Sequence, residues 1–233
     1  MTTRILLVRH GATVLTAEDR FAGSTDVPLG AEGRVQVRQL ATRLSTEPLT
    51  AVYASPMERT LESARVIAVP HRLPVRVVDG LREIDHGHWE GLTRLEAVER
   101  YPAEYAAWEA TPLHVAPAGG ESGLAVLTRA RAALDAIVSA HPGEHVLVVS
   151  HKATIRLLVA DLLGLDTNSY RSRLDQQPAS LNILDIETGG HAHLVLYNDV
   201  SHYGPWHGRT DFDSSAYGTH VDLVADADRQ RIP

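Results

Sequence analysis

Five side chains that could bind and transfer an anion follow predicted strands at similar places. Arg9 and His10 come directly after the apolar segment at the N-terminus, and Arg59 lies in the first turn of the helix after the second predicted strand. Glu83 follows the third predicted strand and His151 the fourth. Ligands of α/β proteins bind beyond the carboxyl ends of strands. We therefore expect two arginines, two histidines and a carboxylate to converge at one edge of a sheet.

This set of groups suits the chemistry of a phosphate dianion. Arginine keeps its charge and offers paired, planar donors to phosphate oxygens. An arginine in the first turn of a helix adds to the partial positive charge of the free backbone N–H groups. A neutral imidazole can attack phosphorus to give a phosphohistidine, which water cleaves afterwards. A nearby carboxyl can protonate the leaving oxygen.

The elements that must position these groups alternate between strand and helix. This order predicts an α/β fold, a three-layer α/β/α sandwich around a mostly parallel sheet. Strands are predicted at 4–8, 51–54, 75–78, 145–150, 180–186 and 194–197. Helices are predicted at 30–45, from 55 to about 68, at 93–109 with a break at Pro102, and after residues 120 and 151.

The segment Ser55-Pro56-Met57-Glu58 has the pattern of a capping box with proline at the first helical position. It predicts that Ser55 caps the N-terminus of the helix that carries Arg59.

Several segments resemble one known family, the histidine phosphatase superfamily in its phosphoglycerate mutase-like branch. The segment LVRHGAT at 7–13 resembles the signature of that family. Further matching segments occur in the family's order and span roughly residues 4–202: 20–23, 26–29, 55–60, 81–83, 87–91, 119–122, 150–151 and 198–202. A single motif of this kind is weak evidence, whereas several in order are strong evidence.

The resemblance implies a phosphoglycerate mutase-like fold and a metal-independent phosphatase that acts on a small phosphomonoester. It implies that His10 is the phosphorylated nucleophile. Arg9, Arg59 and His151 would hold the phosphoryl group, with His151 counted among the catalytic residues. Glu83 would be the proton donor.

Three further residues are drawn into this prediction. Thr16 stands where many members have an asparagine that contacts phosphate, and its shorter hydroxyl can donate one hydrogen bond or only make a local turn. Gly23, in the matched segment 20–23, is expected among the phosphate-binding residues. Lys152 stands where glycine is common, so it can enlarge the positive pocket or point to solvent.

Composition limits the alternatives. The chain has 233 residues, no cysteine and a net charge of −7. The lack of cysteine excludes disulfides, thiolate zinc sites and cysteine nucleophiles, and it fits a reducing cytosol. Without a basic run or a long apolar window, neither nucleic acid nor a membrane is expected as a partner. His86 and His88 have no third ligand at a suitable spacing, so no metal and no cofactor are expected. We expect a cytoplasmic enzyme whose partner is a small phosphorylated metabolite.

Two rival functions stay open. A cofactor-dependent phosphoglycerate mutase has the same fold, but it carries extra basic residues in the segment that corresponds to 101–111, which here has no Arg or Lys. A small acidic substrate would find less to bind there, which favours hydrolysis. A non-catalytic phosphate-binding module would need neither the nucleophile His10 nor the acid Glu83.

Residues 1–202 are expected to form one catalytic domain, with 203–233 as an extension packed on it. Trp206, Phe212 and Tyr217 make that extension too aromatic for a plain disordered tail. It is expected either to cover the pocket and limit substrate size or to form a peripheral strap or a homodimer contact.

Overall fold

The computed structural model describes residues 1–17 and 20–204. One six-stranded sheet has the order β3-β2-β4-β1-β5-β6. Its strands are β1 (Thr2–Arg9), β2 (Leu49–Ala54), β3 (Val75–Val77), β4 (His145–Ser150), β5 (Leu181–Glu187) and β6 (Ala192–Asp199). Strands β1 to β4 are parallel, and β5 pairs antiparallel with both β1 and β6.

The described residues also form α-helices of very different lengths. They are α1 (Val14–Ala17), α2 (Ala31–Leu44), α3 (Glu58–Ala68), α4 (Arg94–Arg100), α5 (Pro102–Ala110), α6 (Gly123–Ala140), α7 (Lys152–Leu162) and α8 (Tyr170–Arg173). The predicted break at Pro102 is confirmed, because α4 ends at Arg100 and α5 begins at the proline. Proline fits the first position of a helix since its missing N–H would have no partner there.

The sheet lies between two helical layers, as the alternating pattern predicted. Along β1, Leu6 and Val8 pack in the apolar cluster with α2 and α3. Ile5 and Leu7 point to the other face and pack in the cluster with α6 and α7. All four side chains are fully buried, and burial of one such side chain contributes about 1.5–3 kcal/mol. The prediction of a three-layer α/β/α sandwich is confirmed.

The capping box predicted at Ser55 is wrong. Helix α3 begins at Glu58, two residues after the predicted first helical residue Pro56, and Met57 takes the N-cap position with no side-chain hydrogen bond. Ser55 is fully buried, and its hydroxyl contacts the ring of His151 instead. The later start still leaves Arg59 in the first turn of α3, so this part of the prediction is confirmed.

The predicted C-terminal extension falls almost entirely on residues 205–233, which lie outside the described residues. Its packing and the boundary at residue 202 therefore stay predictions. Among the described residues, no helix combines the length and the apolar character needed to cross a membrane.

Candidate active site

The carboxyl ends of the parallel strands open onto a cavity of about 960 Å³. Arg9, His10, Arg59 and Glu83 line this cavity. His151 lies behind it and is fully buried, with its ring centroid 5.2 Å from that of His10. The structure thus brings together the five groups that the strand ends predicted. We call Arg9, His10, Arg59 and His151 the phosphoryl end of the cavity.

His10 is held as a neutral imidazole of one defined tautomer. Its Nδ1 lies 2.7 Å from the carbonyl oxygen of Gly11. Because a carbonyl only accepts, Nδ1 carries the proton and Nε2 keeps its lone pair. Burial lowers the pKa of His10 well below its usual range, and the charges of Arg59 and Arg9 lower it further. A neutral ring with a free Nε2 lone pair is the form that can attack phosphorus.

His151 is fixed as the opposite tautomer. Arg59 donates from Nε to Nδ1 of His151 over 3.3 Å, so Nε2 of His151 carries the proton and donates to Ser55 Oγ at 2.8 Å. Burial lowers the pKa of His151 well below its usual range, with Arg59 and His10 adding to the effect. Both nitrogens of His151 are engaged within the protein. A direct bond from His151 to a phosphoryl oxygen stays a prediction that requires one of these contacts to open.

The two arginines of the phosphoryl end are held by backbone carbonyls. Arg9 donates from Nη1 to Gln176 O at 2.5 Å, and burial is the main cause that lowers its pKa to about 10. Arg59 donates to the carbonyl oxygens of Gly23 and Thr25, at 2.9 Å each. Carbonyls orient a guanidinium without cancelling its charge, so both side chains remain cations that can bind an anion.

Glu90 anchors the loop whose Gly23 and Thr25 carbonyls hold Arg59. Its carboxylate accepts from the backbone N–H groups of Gly23, Ser24 and Thr25 and from the Thr25 hydroxyl. Burial alone would raise the pKa of Glu90, but hydrogen bonds from Thr25, His86 and Ser24 outweigh it and lower the pKa. Glu90 belongs to the matched segment 87–91, but no sequence pattern indicated this role.

Gly23 is not among the residues that line the cavity. Its N–H donates to Glu90, and a Cβ at this position would lie 1.8 Å from the carbonyl oxygen of Ile84. The close approach of two backbone segments therefore requires glycine here. Phosphate binding by Gly23 stays a prediction, and it would require the N–H to leave Glu90.

Glu83 lines the cavity and also holds the N-terminus of α7. Its carboxylate accepts from the N–H groups of Ile84, Ala153 and Thr154 and from the Thr154 hydroxyl. Asp85 is a second carboxyl close to Glu83 in sequence, but it does not line the cavity and it accepts from Gly87 N at 2.7 Å. Between these two carboxyls, the geometry favours Glu83.

Thr16 and Lys152, the two residues that depart from the family pattern, both line the cavity. The Thr16 hydroxyl lies 2.9 Å from that of Thr13, which is the local turn contact weighed as its alternative role. Lys152 is half-buried at the start of α7. Burial is the main cause that lowers its pKa to about 7, and the charges of Arg156 and Arg9 act in the same direction. Lys152 therefore contributes to the cavity and is not a plain surface lysine.

The cavity contains further charged residues that were not predicted from the sequence. Arg156, in the middle of apolar α7, pairs with Asp175 at 3.0 Å. An arginine four residues after Lys152 on the same helix face is a signal that could have indicated it. Arg171 lies on the four-residue helix α8, with its Cζ 3.6 Å from the ring centroid of Trp108. Arg94 also lines the cavity. Neither Arg94 nor Arg171 follows a strand, so no pattern pointed to them.

Within the described residues, no group of three or more His, Asp or Glu side chains is arranged to hold a metal ion.

The comparisons with known proteins agree with this geometry. A family model described as the histidine phosphatase superfamily, branch 1, matches residues 5–200. The chain belongs to the histidine phosphatase superfamily. The resemblance drawn from the motifs is therefore confirmed.

Two relatives and one solved structure show how similar this histidine phosphatase is to known proteins. The phosphoserine phosphatase 1 of Hydrogenobacter thermophilus is 33% identical over 204 residues, which cover 88% of this chain and 96% of that protein. A bifunctional protein of Mycobacterium tuberculosis is 38% identical over 204 residues, and the match spans 55% of its length. The structure of YhfR from Bacillus stearothermophilus has a TM-score of 0.80 and 34% identity, covering 86% of this chain and 98% of that one.

Other relatives of this histidine phosphatase carry the names of phosphatases or of phosphoglycerate mutases. The names support a phosphoric monoester hydrolase, while family membership by itself does not separate hydrolysis from mutase transfer.

Proposed function

We propose that this protein is a phosphatase that hydrolyses a small phosphomonoester, without a metal ion, through a phosphohistidine at His10. The observation that carries the proposal is the state of His10. Its ring is neutral, its Nδ1 donates to Gly11 O, and Arg9 and Arg59 line the same cavity close enough to lower its pKa. Binding alone would not require a nucleophile in this state, which argues against a non-catalytic phosphate-binding module.

The first chemical step forms the covalent intermediate. The Nε2 lone pair of His10 forms a bond to phosphorus while the bond from phosphorus to the leaving oxygen breaks. Arg9 and Arg59 stabilise the charge on the equatorial oxygens, which is the main catalytic need of phosphoryl transfer. Protonated Glu83 gives its proton to the leaving oxygen, so the product leaves as an alcohol.

The second step restores the enzyme. Water attacks phosphorus, and the Glu83 carboxylate accepts a proton from it. The bond between phosphorus and nitrogen then breaks, and its electron pair returns to Nε2 of His10. Glu83 accepts four hydrogen bonds in the structure, which is the acceptor role that this step uses.

The basic residues of the cavity bear on the mutase alternative. Segment 101–111 has no basic residue, but Arg94, Lys152 and Arg171 reach the same cavity from other elements. An acidic substrate therefore does find positive groups, and the missing Arg and Lys of one segment no longer favour hydrolysis. Support for hydrolysis comes from the phosphatase name of a relative that this chain covers almost completely.

Turnover of p-nitrophenyl phosphate tests the proposal. The wild-type protein should release phosphate after exhaustive treatment with EDTA, because two arginines supply the charge that a metal would otherwise supply. Activity that is lost on chelation and restored by a divalent ion would contradict metal independence. No turnover of any phosphomonoester in a panel would contradict the proposed function. Interconversion of 2- and 3-phosphoglycerate in the presence of the bisphosphate, faster than phosphate release, would favour the mutase.

A further inference from the structure

Lys152 is the only lysine in the whole sequence, which otherwise uses arginine for its basic side chains. It directly follows His151 and lines the cavity. In the described part of the chain, its ammonium makes neither a hydrogen bond nor an ion pair. A half-buried cation without a counter-charge is costly, and groups of this kind cluster at sites that bind a ligand.

Arg171 approaches the same cavity from α8. Its guanidinium stacks on the ring of Trp108, which is itself almost fully buried. Stacking uses the flat face of the guanidinium and leaves the N–H groups at its edge free to donate. Within the described residues, no carboxylate pairs with these groups. We call Lys152 and Arg171 the outer wall of the cavity.

The charges of the cavity exceed what one phosphate requires. Among the described residues, seven basic and three acidic side chains line it. Two of the basic side chains are already paired, Arg156 with Asp175 and Arg20 with Glu96, and the carboxylate of Glu83 is held by the N-terminus of α7. A phosphoryl dianion would balance Arg9 and Arg59. The outer wall would then still have a positive excess.

The charges around Lys152 also favour a bound anion. Burial lowers its pKa to about 7, and Arg156 and Arg9, together with Arg94, oppose its protonation. Asp175 favours the ammonium form, but Asp175 is paired with Arg156. A bound anion would stabilise the ammonium and supply the charge that this neighbourhood lacks.

We propose that Lys152 and Arg171 bind a second anionic group of the substrate, a carboxylate or a second phosphate. This inference rests on the proposed phosphatase function and narrows its substrate class. The substrate would be a phosphomonoester that carries a further negative group away from the reacting phosphate.

Binding of phosphonates tests the proposal without turnover. Alkylphosphonates with chains of two to four carbons would be compared by calorimetry with the matched ligands that end in a carboxylate or in a second phosphonate. At one chain length at least, the doubly anionic ligand should bind the wild-type protein about 10-fold more tightly than its neutral match, the effect of one charged hydrogen bond. If the ligand with a terminal carboxylate binds more tightly, the second anionic group is a carboxylate. If the bisphosphonate binds more tightly, it is a second phosphate.

Variants assign the preference to the outer wall. In Lys152→Met and in Arg171→Met, the ratio of the two affinities should fall to within about twofold of unity, because the loss of either donor removes most of a charged contact. Lys152→Arg should keep the preference. Arg65→Met removes a charge from the exposed face of α3, away from the cavity, and should leave the ratio unchanged.

The inference and the proposed function can fail separately. Equal affinities at every chain length, or a preference that survives in the Lys152→Met/Arg171→Met double variant, would overturn the outer wall as an anion site. Turnover of p-nitrophenyl phosphate by the same wild-type sample would show that the proposed function still stands. Absence of turnover together with a retained ligand preference would overturn the function and keep the anion site.

Discussion

The two parts of the cavity differ in how their polar groups are satisfied. At the phosphoryl end, carbonyl oxygens or a hydroxyl hold His10, His151, Arg9 and Arg59 in fixed orientations. At the outer wall, the donors of Lys152 have no hydrogen-bond or ion-pair partner among the described residues. A preorganised group favours one reaction, because its orientation is already set when the substrate arrives. An unsatisfied donor favours a particular ligand, because only that ligand completes its contacts.

This difference suggests that the two parts of the cavity have different roles. The phosphoryl end would determine that a phosphoryl group is transferred, and the outer wall would determine from which compound. Changes at the phosphoryl end should therefore affect all phosphomonoesters alike, whereas changes at the outer wall should affect mainly the choice among them.

The largest expected effect is that of His10→Asn. Without the nucleophile, turnover should fall by at least ~10⁴-fold for simple and for doubly anionic phosphomonoesters, as for nucleophile removal in other covalent enzymes. Steady-state phosphate release measures this, with the exposed His191→Asn as the control. Retention of more than a few per cent of activity would remove His10 from its role.

Next in size is the effect of Glu83→Gln, which separates acid catalysis from positioning. Turnover of an alkyl phosphate should fall by ~10²–10⁴-fold, the range of general acid catalysis. Turnover of p-nitrophenyl phosphate should fall much less, because nitrophenolate leaves without a proton. Since Glu83 also accepts from Ala153 and Thr154, a melting curve must show that the variant is folded. Equal losses on both substrates would mean that Glu83 positions α7 and donates no proton.

A smaller effect is expected for Ser55→Ala. The Ser55 hydroxyl accepts the proton of His151 Nε2, and without it that buried N–H has no partner. We expect kcat to fall by about 10-fold with little change in KM, as for one lost buried hydrogen bond. The exposed Ser45→Ala is the matched control. An unchanged kcat would show that the orientation of His151 does not depend on Ser55.

The smallest effect is on stability, and it concerns Lys152→Met. Folding lowers the pKa of Lys152 from 10.5 to about 7. Protonation of Lys152 therefore lowers the free energy of unfolding, and this destabilisation is fully present below pH 7. It decreases as the pH rises from 7 toward 10.5, where the unfolded chain also loses the proton. The variant should melt a few degrees higher than wild type at about pH 6, with a smaller gain at about pH 10. A gain that is independent of pH would contradict this cause.

The sequence predicted the fold and the phosphoryl end well, for a physical reason. Each of its groups directly follows a buried strand or begins the next helix, so periodicity alone places Arg9, His10 and His151 at one edge of the sheet. Ser55 shows where prediction from a local sequence pattern fails. It fits a capping box by type and spacing, yet a tertiary contact with His151 takes its hydroxyl instead.

The outer wall could not be predicted in this way. Arg171 lies on a four-residue helix between longer elements, where no hydrophobic period fixes the direction of a side chain. Its position depends on stacking against Trp108, a residue more than sixty positions earlier in the chain. Contacts of this kind are set by how distant loops meet, and a single sequence carries no local signal for them.

Trapping of the phosphoenzyme tests the proposed role of His10 as the nucleophile. Wild-type protein would be mixed with radiolabelled p-nitrophenyl phosphate, quenched within milliseconds and digested for peptide mapping. We expect a label on His10 that is stable in base and labile in acid, and no label in His10→Asn. A label on any other residue, or steady turnover by the wild type with no labelled protein at any time, would contradict this role.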